Sequence, residues 1–209
     1  MPPRLTAQDF DQELLILFDA YVHGVIDRRG FLDRAQKFAV GGLTAVGLLA
    51  ALSPDFAMGQ VVPKDDKRIT TQMLDYASPA GYGNMKGYLA RPANASGRLP
   101  GVLVVHENRG LNPHIEDIAR RLALDGFMAF APDALTPLGG YPGDEDKARE
   151  LFPKLDQAKT REDFVAAANL LKGRADCTGK IGVVGFCYGG GMAHTLAVRL
   201  PDLAAAVPF

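Results

Sequence analysis

A cysteine between glycines at the end of an apolar run constrains this chain more than any other feature. Ile181-Gly182-Val183-Val184 leads into Gly185-Phe186-Cys187-Tyr188-Gly189, and Gly190, Gly191 and a helix-like segment follow. The context is strand, sharp turn, helix, with small residues flanking one nucleophilic side chain. Such a turn holds its central residue in strained backbone geometry, and side chains at the glycine positions would collide with the neighbouring strand or helix. A thiolate is a strong nucleophile, but a free thiol with a pKa near ~8.5 needs a base or a positive environment to become one. The competing reading is a buried cysteine in a glycine-rich turn. The flanking strand and helix favour Cys187 as a nucleophile.

In folds that carry this elbow the order along the chain is nucleophile, then acid, then histidine. After Cys187 the sequence offers His194 as histidine and Asp202 as acid. His194 falls seven positions into the following helix, about 10 Å along its axis at ~1.5 Å per residue. Asp202 falls where that helix returns to a strand over 204–209, at the far end of the sheet from the elbow. Neither is expected to complete a triad, so the sequence predicts a chain truncated ahead of its triad Asp and His.

From Lys64 onward strands and helices alternate, as in a mostly parallel sheet covered on both faces. Ile69 to Ala77 and Met85 to Ala90 predict an antiparallel hairpin around Pro79-Ala80-Gly81. Val102-Leu103-Val104-Val105 predicts a strand buried on both faces. Asn112-Pro113 opens a helix with Ile115, Ile118, Ala119, Leu122 and Ala123 inward, and Gly126 ends it. Phe127 to Ala131 predicts the next strand, which ends at Pro132-Asp133. Thr136 to Gly143 is expected to be a surface loop near the site. Thr160-x-x-Asp163 predicts the start of a helix with Phe164, Ala167, Ala168 and Leu171 inward.

The first sixty residues differ in character. Asp27-Arg28-Arg29-Gly30-Phe31-Leu32 precedes a weakly apolar stretch, Phe38 to Leu52, too short for the about 20 residues of a stable membrane span. Positive residues, a short apolar core and a small-residue end at Ala57-Met58-Gly59 are the parts of an export signal, and the arginine pair resembles the twin-arginine class. The expectations are a partnership with the twin-arginine export machinery and a periplasmic location. The alternative is an amphipathic helix packed on the domain of a cytoplasmic protein. Asp9 to Ile26 also has helical spacing (Leu14, Leu15, Leu17, Phe18, Tyr21, Val22, Val25), which a signal does not require. The expected organisation is 1–59 as N-terminal helix and export signal, and 60–209 as a partial catalytic domain.

Composition excludes some classes. With 47% hydrophobic and 22% charged residues and a net charge of −1, the chain has no basic stripe for nucleic acid. Cys177 and Cys187 bracket a strand of roughly 20 Å, too far apart for a disulfide. No cysteine/histidine cluster has metal-ligand spacing, so neither metal nor cofactor is expected.

Gly185-Phe186-Cys187-Tyr188-Gly189-Gly190, Val105-His106-Glu107 followed by Arg109-Gly110-Leu111-Asn112, and Ala131-Pro132-Asp133 together resemble the dienelactone hydrolase family over roughly residues 70 to 209. The resemblance implies an α/β fold: an α/β-hydrolase-type three-layer sandwich with a mostly parallel sheet, here lacking the last strands and helices. It implies a Cys-His-Asp triad opening small esters or lactones, with Cys187 as nucleophile and no triad Asp or His in this chain. A glutamate at the position of Glu107 holds the resting thiol in the family and moves aside when substrate binds. Some relatives carry a twin-arginine leader. In this fold class the oxyanion hole takes one N–H from the residue after the nucleophile, here Tyr188, and one from the loop after the third strand, here Asn108.

Other histidines compete weakly. His106 adjoins Glu107, and successive strand residues face opposite ways, so a Glu107 facing the thiol turns His106 away from it. His114 is expected at the surface and His194 in packing. The functional expectation is hydrolysis through a thioester on Cys187, impaired by the missing partners. The alternatives are a non-catalytic remnant or binding module of the same fold, and a thiol redox protein without a Cys-x-x-Cys. An open sheet that stops at 204–209 also leaves an apolar edge suited to homodimerisation.

Overall fold

The computed structural model describes residues 7–41, 44–53 and 59–209. The chain divides into two compact units, Met1–Gly59 and Gln60–Phe209.

The first unit contains helices α1 (Gln12–Val22), α2 (Arg28–Ala35) and α3 (Ala45–Leu52), each opened by a side-chain cap from Asp11, Asp27 and Thr44 respectively. The helical spacing in the sequence is realised as a small core of Leu14, Tyr21, Phe31, Ala35, Leu48 and Leu49. The Phe31 ring lies 5.4 Å from that of Tyr21 and 6.1 Å from that of Phe18. Arg28 and Arg29 form the exposed first turn of α2, and Asp27 Oδ1 accepts from Gly30 N–H at 2.7 Å. Val25, expected on the apolar face, is exposed beyond the end of α1. Ala57 and Met58 of the expected cleavage region lie outside the described residues.

The second unit is built on a six-stranded sheet in the order β1-β2-β4-β3-β5-β6. Its strands are β1 (Ile69–Ser78), β2 (Gly83–Pro92), β3 (Leu99–Val105), β4 (Met128–Pro132), β5 (Cys177–Gly185) and β6 (Ala205–Pro208). β1 and β2 form the expected hairpin, β2 pairs antiparallel with β4, and β4, β3, β5 and β6 run parallel. Helices α4 (Pro113–Leu124), α5 (Glu145–Leu151), α6 (Gln157–Gly173) and α7 (Tyr188–Arg199) complete an α/β-hydrolase arrangement. Two apolar clusters sandwich the sheet. One gathers Leu103, Phe130, Phe164, Leu171, Ile181 and Leu196. The other gathers Val104, Ile115, Ala119, Ala123 and Ala129 beneath α4.

Asn112 caps α4 as expected, its Oδ1 accepting from Ile115 N–H at 3.0 Å. The start of α6 differs from the expectation at Thr160. Asp156 is the cap, accepting from Ala158 and Lys159 N–H, and Thr160 lies one turn inside with its hydroxyl on Asp156 O. Asp163 is likewise no first-turn residue. It is buried and accepts from Tyr82 N–H at 2.9 Å, fastening α6 to the β1–β2 turn. β6 forms an edge of the sheet, with Val207 45% and Phe209 72% exposed. Beside it an apolar groove of about 610 Å³ runs between α4 and β3, β5 and β6, lined by Val102, Ile118, Leu122, Ile181, Val184 and Val207 among others.

Candidate active site

β5 delivers the chain to Cys187, which has φ 54° and ψ −109°. It is the one non-glycine residue with positive φ among the described residues. That conformation costs about 1–3 kcal/mol and persists only where its surroundings impose it. Here they do so through backbone bonds: Cys187 N–H donates to Phe209 O at 2.8 Å, Phe209 N–H to Gly185 O at 2.8 Å, and Phe186 N–H to Val105 O at 3.2 Å. Gly189 and Gly190 N–H then turn back onto Phe186 O and Cys187 O, starting α7. The turn lifts Cys187 to the surface, whereas Cys177 is buried at the other end of β5; both are free thiols.

Tyr188 is the first residue of α7, and its N–H has no acceptor among the described residues. A free amide at a helix N-terminus, at the positive end of the dipole, is a donor aimed at an anion. Its ring packs edge-on against Phe152 at 4.7 Å and its hydroxyl donates to Gln157 Oε1 at 3.0 Å. Asn108 lies in the turn after β3, and its N–H is also without an acceptor among the described residues.

The end of β3 abuts the elbow: a Cβ on Gly189 would touch Val105 O and His106 O. Glu107 follows at once, half-buried, and its Oε2 is buried with no hydrogen-bond partner. Among the described residues none bonds Cys187 Sγ, Glu107 included.

His106, just past the end of β3, is fully buried. Its Nε2 accepts from Ala134 N–H at 3.1 Å and its Nδ1 faces Glu107 O. An amide can only donate and a carbonyl can only accept, so the ring is a neutral imidazole protonated at Nδ1. Burial pushes its pKa down, against the pull of the Asp133 and Glu107 charges. Both ring nitrogens are therefore committed to the fold and neither can serve the thiol. The remaining histidines are no closer to the task. His194 is exposed, correcting the packing role expected of it, because at 100° per residue it faces away from buried Met192, Ala193 and Leu196. His114 is half-buried in the first turn of α4 rather than fully at the surface. Asp202 pairs with Lys172 at the opposite end of α7 from Cys187.

Several residues at the site had no role in the sequence reading. Asp133 is buried at the end of β4 and gathers the loops: Oδ1 accepts from Leu111 and Leu135 N–H, and Oδ2 from Tyr141 N–H at 3.0 Å. The stretch expected to be a loop is a short 3-10 turn (Thr136–Leu138) leading to α5, and Phe152 just beyond α5 packs on both His106 and Tyr188. The first residue of α5, Glu145, accepts from Asn112 Nδ2 at 3.1 Å and from Tyr141 OH at 2.9 Å. Its other oxygen, Oε2, lies 3.1 Å from Arg109 Nε as an ion pair. Burial raises the Glu145 carboxyl, with Tyr141, Arg109 and Asn112 opposing and the Glu107 charge adding to the rise. The Asp144 cap with acidic residues behind it was a legible signal for α5. Among the described residues no group of three or more His, Cys, Asp or Glu could hold a metal ion.

Comparison with known proteins yields a consistent set. The dienelactone hydrolase family matches residues 85–209, and a family described as YqhI-like matches residues 1–40. The "Putative hydrolase fragment YghX" of Escherichia coli (strain K12) is 50% identical over 114 residues, covering 54% of this chain and 97% of that protein. A "Putative carboxymethylenebutenolidase" of Yersinia pestis is 33% identical over 134 residues, covering 63% of this chain and 50% of that protein. This chain thus spans about half the length of that relative. A crystal structure described as a "Putative Dienelactone Hydrolase" from Klebsiella pneumoniae superposes with a TM-score of 0.54 at 33% identity, covering 66% of this chain and 59% of that one. The esterase Est22, at 16% identity and TM-score 0.55 over 92% of this chain and 56% of its own, shares the fold.

Proposed function

This chain belongs to the dienelactone hydrolase family, and from that premise we propose that its second unit is the nucleophile-bearing part of a hydrolase for small esters or lactones. The observation that carries the reading is the positive φ of Cys187 at the head of α7, beside the free Tyr188 amide. In the proposed reaction the Cys187 thiolate attacks the ester carbonyl. A C–S bond forms, and the π pair moves to an oxyanion held by the N–H groups of Tyr188 and Asn108. Collapse of that intermediate expels the alkoxide, which takes up a proton, and leaves a thioester. Water then attacks the thioester, the acid leaves, and the thiol is restored.

Both chemical steps need a base, and no imidazole reaches Sγ among the described residues because His106 is bound at both nitrogens. Loss of the base from a triad can cost on the order of 10⁶ in turnover. The expected result for the 209-residue chain is slow alkylation of Cys187 by iodoacetamide, with turnover of a small lactone near background. Glu107 is proposed as the carboxylate that restrains the thiol. A negative charge beside a thiol disfavours its thiolate, so Glu107→Gln is expected to speed alkylation near pH 7. Alkylation rate against pH for both forms, beside a lactone assay, tests the assignment. Robust turnover abolished by Cys187→Ala would show that another base operates.

The first unit is proposed to be an export leader of the twin-arginine class, delivering the protein to the periplasm. The support is Arg28-Arg29 followed by Phe31-Leu32 and an apolar stretch. One observation favours the rival of a retained helical module: Phe31 lies wholly inside the core of the first unit. Changing both arginines to lysine is expected to hold the full-length protein in the cytoplasm. Periplasmic delivery unchanged by that substitution would overturn the twin-arginine assignment, and an intact N-terminus on a cytoplasmic protein would favour the retained module.

A further inference from the structure

The loop after β3 carries two charged residues, Glu107 and Arg109, whose partners differ sharply. Arg109 is two residues from Glu107, yet its guanidinium pairs with Glu145 at 3.1 Å. Among the described residues Glu107 Oε2 is buried without a hydrogen-bond partner and without an ion pair, whereas Glu145 Oε2, also without a hydrogen bond, has Arg109 as its ion-pair partner. Glu145 is itself held in place by Asn112, the cap of α4, and by Tyr141, whose own N–H is pinned by Asp133. The Glu107 charge is close enough to raise the Glu145 carboxyl, and of these two carboxylates Arg109 pairs with Glu145, supplied by the α5 segment.

We propose that Glu145 is a positioning residue: by holding Arg109 on the α5 side it leaves Glu107 without a cation, so that the Glu107 charge bears on Cys187. The inference rests on the restraining role proposed for Glu107 above. It makes the α5 segment a control on thiol reactivity, because displacing Glu145 releases Arg109 towards Glu107. Paired with Arg109, Glu107 no longer opposes ionisation of the thiol.

Other titratable groups face this cluster. His106 is fixed as the neutral ring, and Asp133 acts on it from the end of β4. Asp144 and Glu145 act on Tyr141, whose hydroxyl burial pushes up. Tyr188 stands on α7, its hydroxyl also raised by burial, with Arg161 and Asp163 acting on it. Apart from Glu107 and Arg109, none is proposed to change partner when Glu145 is altered, so the prediction is specific to that pair.

The test is the iodoacetamide alkylation rate of Cys187 against pH in the full chain, for wild type, Glu145→Gln, Glu145→Asp, Glu107→Gln, Glu107→Gln/Glu145→Gln and Arg109→Gln/Glu145→Gln. Glu145→Gln keeps an acceptor for Asn112 and Tyr141 while removing the charge. It is expected to move the alkylation profile to lower pH and to raise the rate at pH 7 by roughly 3- to 10-fold, the effect of about half to one pKa unit. Glu145→Asp should retain most of the wild-type profile. The gain should vanish in the Glu107→Gln background and when Arg109 is also removed, which a merely structural role of Glu145 would not produce. An unshifted profile for Glu145→Gln while Glu107→Gln shifts would overturn this inference and leave the role of Glu107 standing. A gain that survives removal of Arg109 would also overturn it. No shift with Glu107→Gln itself would overturn both.

Discussion

Gly189→Ala is expected to prevent the second unit from folding, whereas Gly191→Ala, two positions on, should be tolerated. A Cβ at Gly189 would stand 2.3 Å from Val105 O and 2.9 Å from His106 O, backbone atoms at and just past the end of β3. At Gly185 it would stand 1.9 Å from Gly189 O, and at Gly190 2.6 Å from Phe209 O. Backbone cannot swing aside as the tip of a side chain can, so relief requires moving strands that share the core. Losses beyond about 4–5 kcal/mol are exceptional for single substitutions and arise from conflicts of this kind. They are comparable to the whole stability of a typical domain, about 5–15 kcal/mol. Gly191 has nothing within 4 Å of an added Cβ. Alanine there should be neutral or gain up to about 1 kcal/mol from helix propensity. Soluble yield and thermal melts by circular dichroism compare the variants. A Gly189→Ala protein melting within a few degrees of wild type would refute the close-approach account.

Features set by neighbouring residues were legible: the hairpin, the cap at Asn112, the buried β3 run, and the elbow with its need for glycine at 185 and 189. The need for glycine at 190 is not legible locally, because its reason lies at Phe209 O, just past β6. Thr160 and Asp156 are both good local caps in the sequence, and contacts across the fold decide for Asp156, whose carboxylate meets the free amides of Ala158 and Lys159. His106 is the clearest case. Its fixed tautomer depends on Ala134 N–H, from a loop whose position follows from the order of the sheet. Glu145 and Asp133 likewise matter through contacts between segments distant in sequence. The roles at the elbow were thus easier to anticipate than the polar framework that holds the loops around it.

That framework has a second, fully buried part, where the other large effect is expected. On α4, Asp117 and Arg120 have no exposed side-chain surface, and they pair at 3.4 Å. Arg120 Nε donates to Val62 O at 2.8 Å and Nη1 to Tyr88 OH at 3.3 Å. Asp117 Oδ1 accepts from Val61 and Val62 N–H, and Oδ2 from Arg121 Nε at 2.7 Å. The cluster ties the segment that enters the second unit to the helix whose N-cap, Asn112, donates to Glu145. Removing one partner of a buried ion pair leaves an uncompensated charge, at a cost of about 3–5 kcal/mol. Asp117→Ala should incur that cost, read as a lower urea midpoint, with Arg120→Met similar. The pH dependence adds a second check. Burial pushes the Asp117 carboxyl up, but the Val62 and Val61 amides and the Arg121 guanidinium outweigh it, and the net shift is downward. A carboxyl held below its unfolded value of ~3.9 contributes stability in full above that pH and loses it as pH falls through the folded value. Wild type should therefore lose stability on acidification below about pH 4, and Asp117→Asn should lack that portion of the loss. A variant with an unchanged midpoint at pH 7 and an unchanged acid limb would mean that packing around α4, and not this charge cluster, holds the entering segment in place.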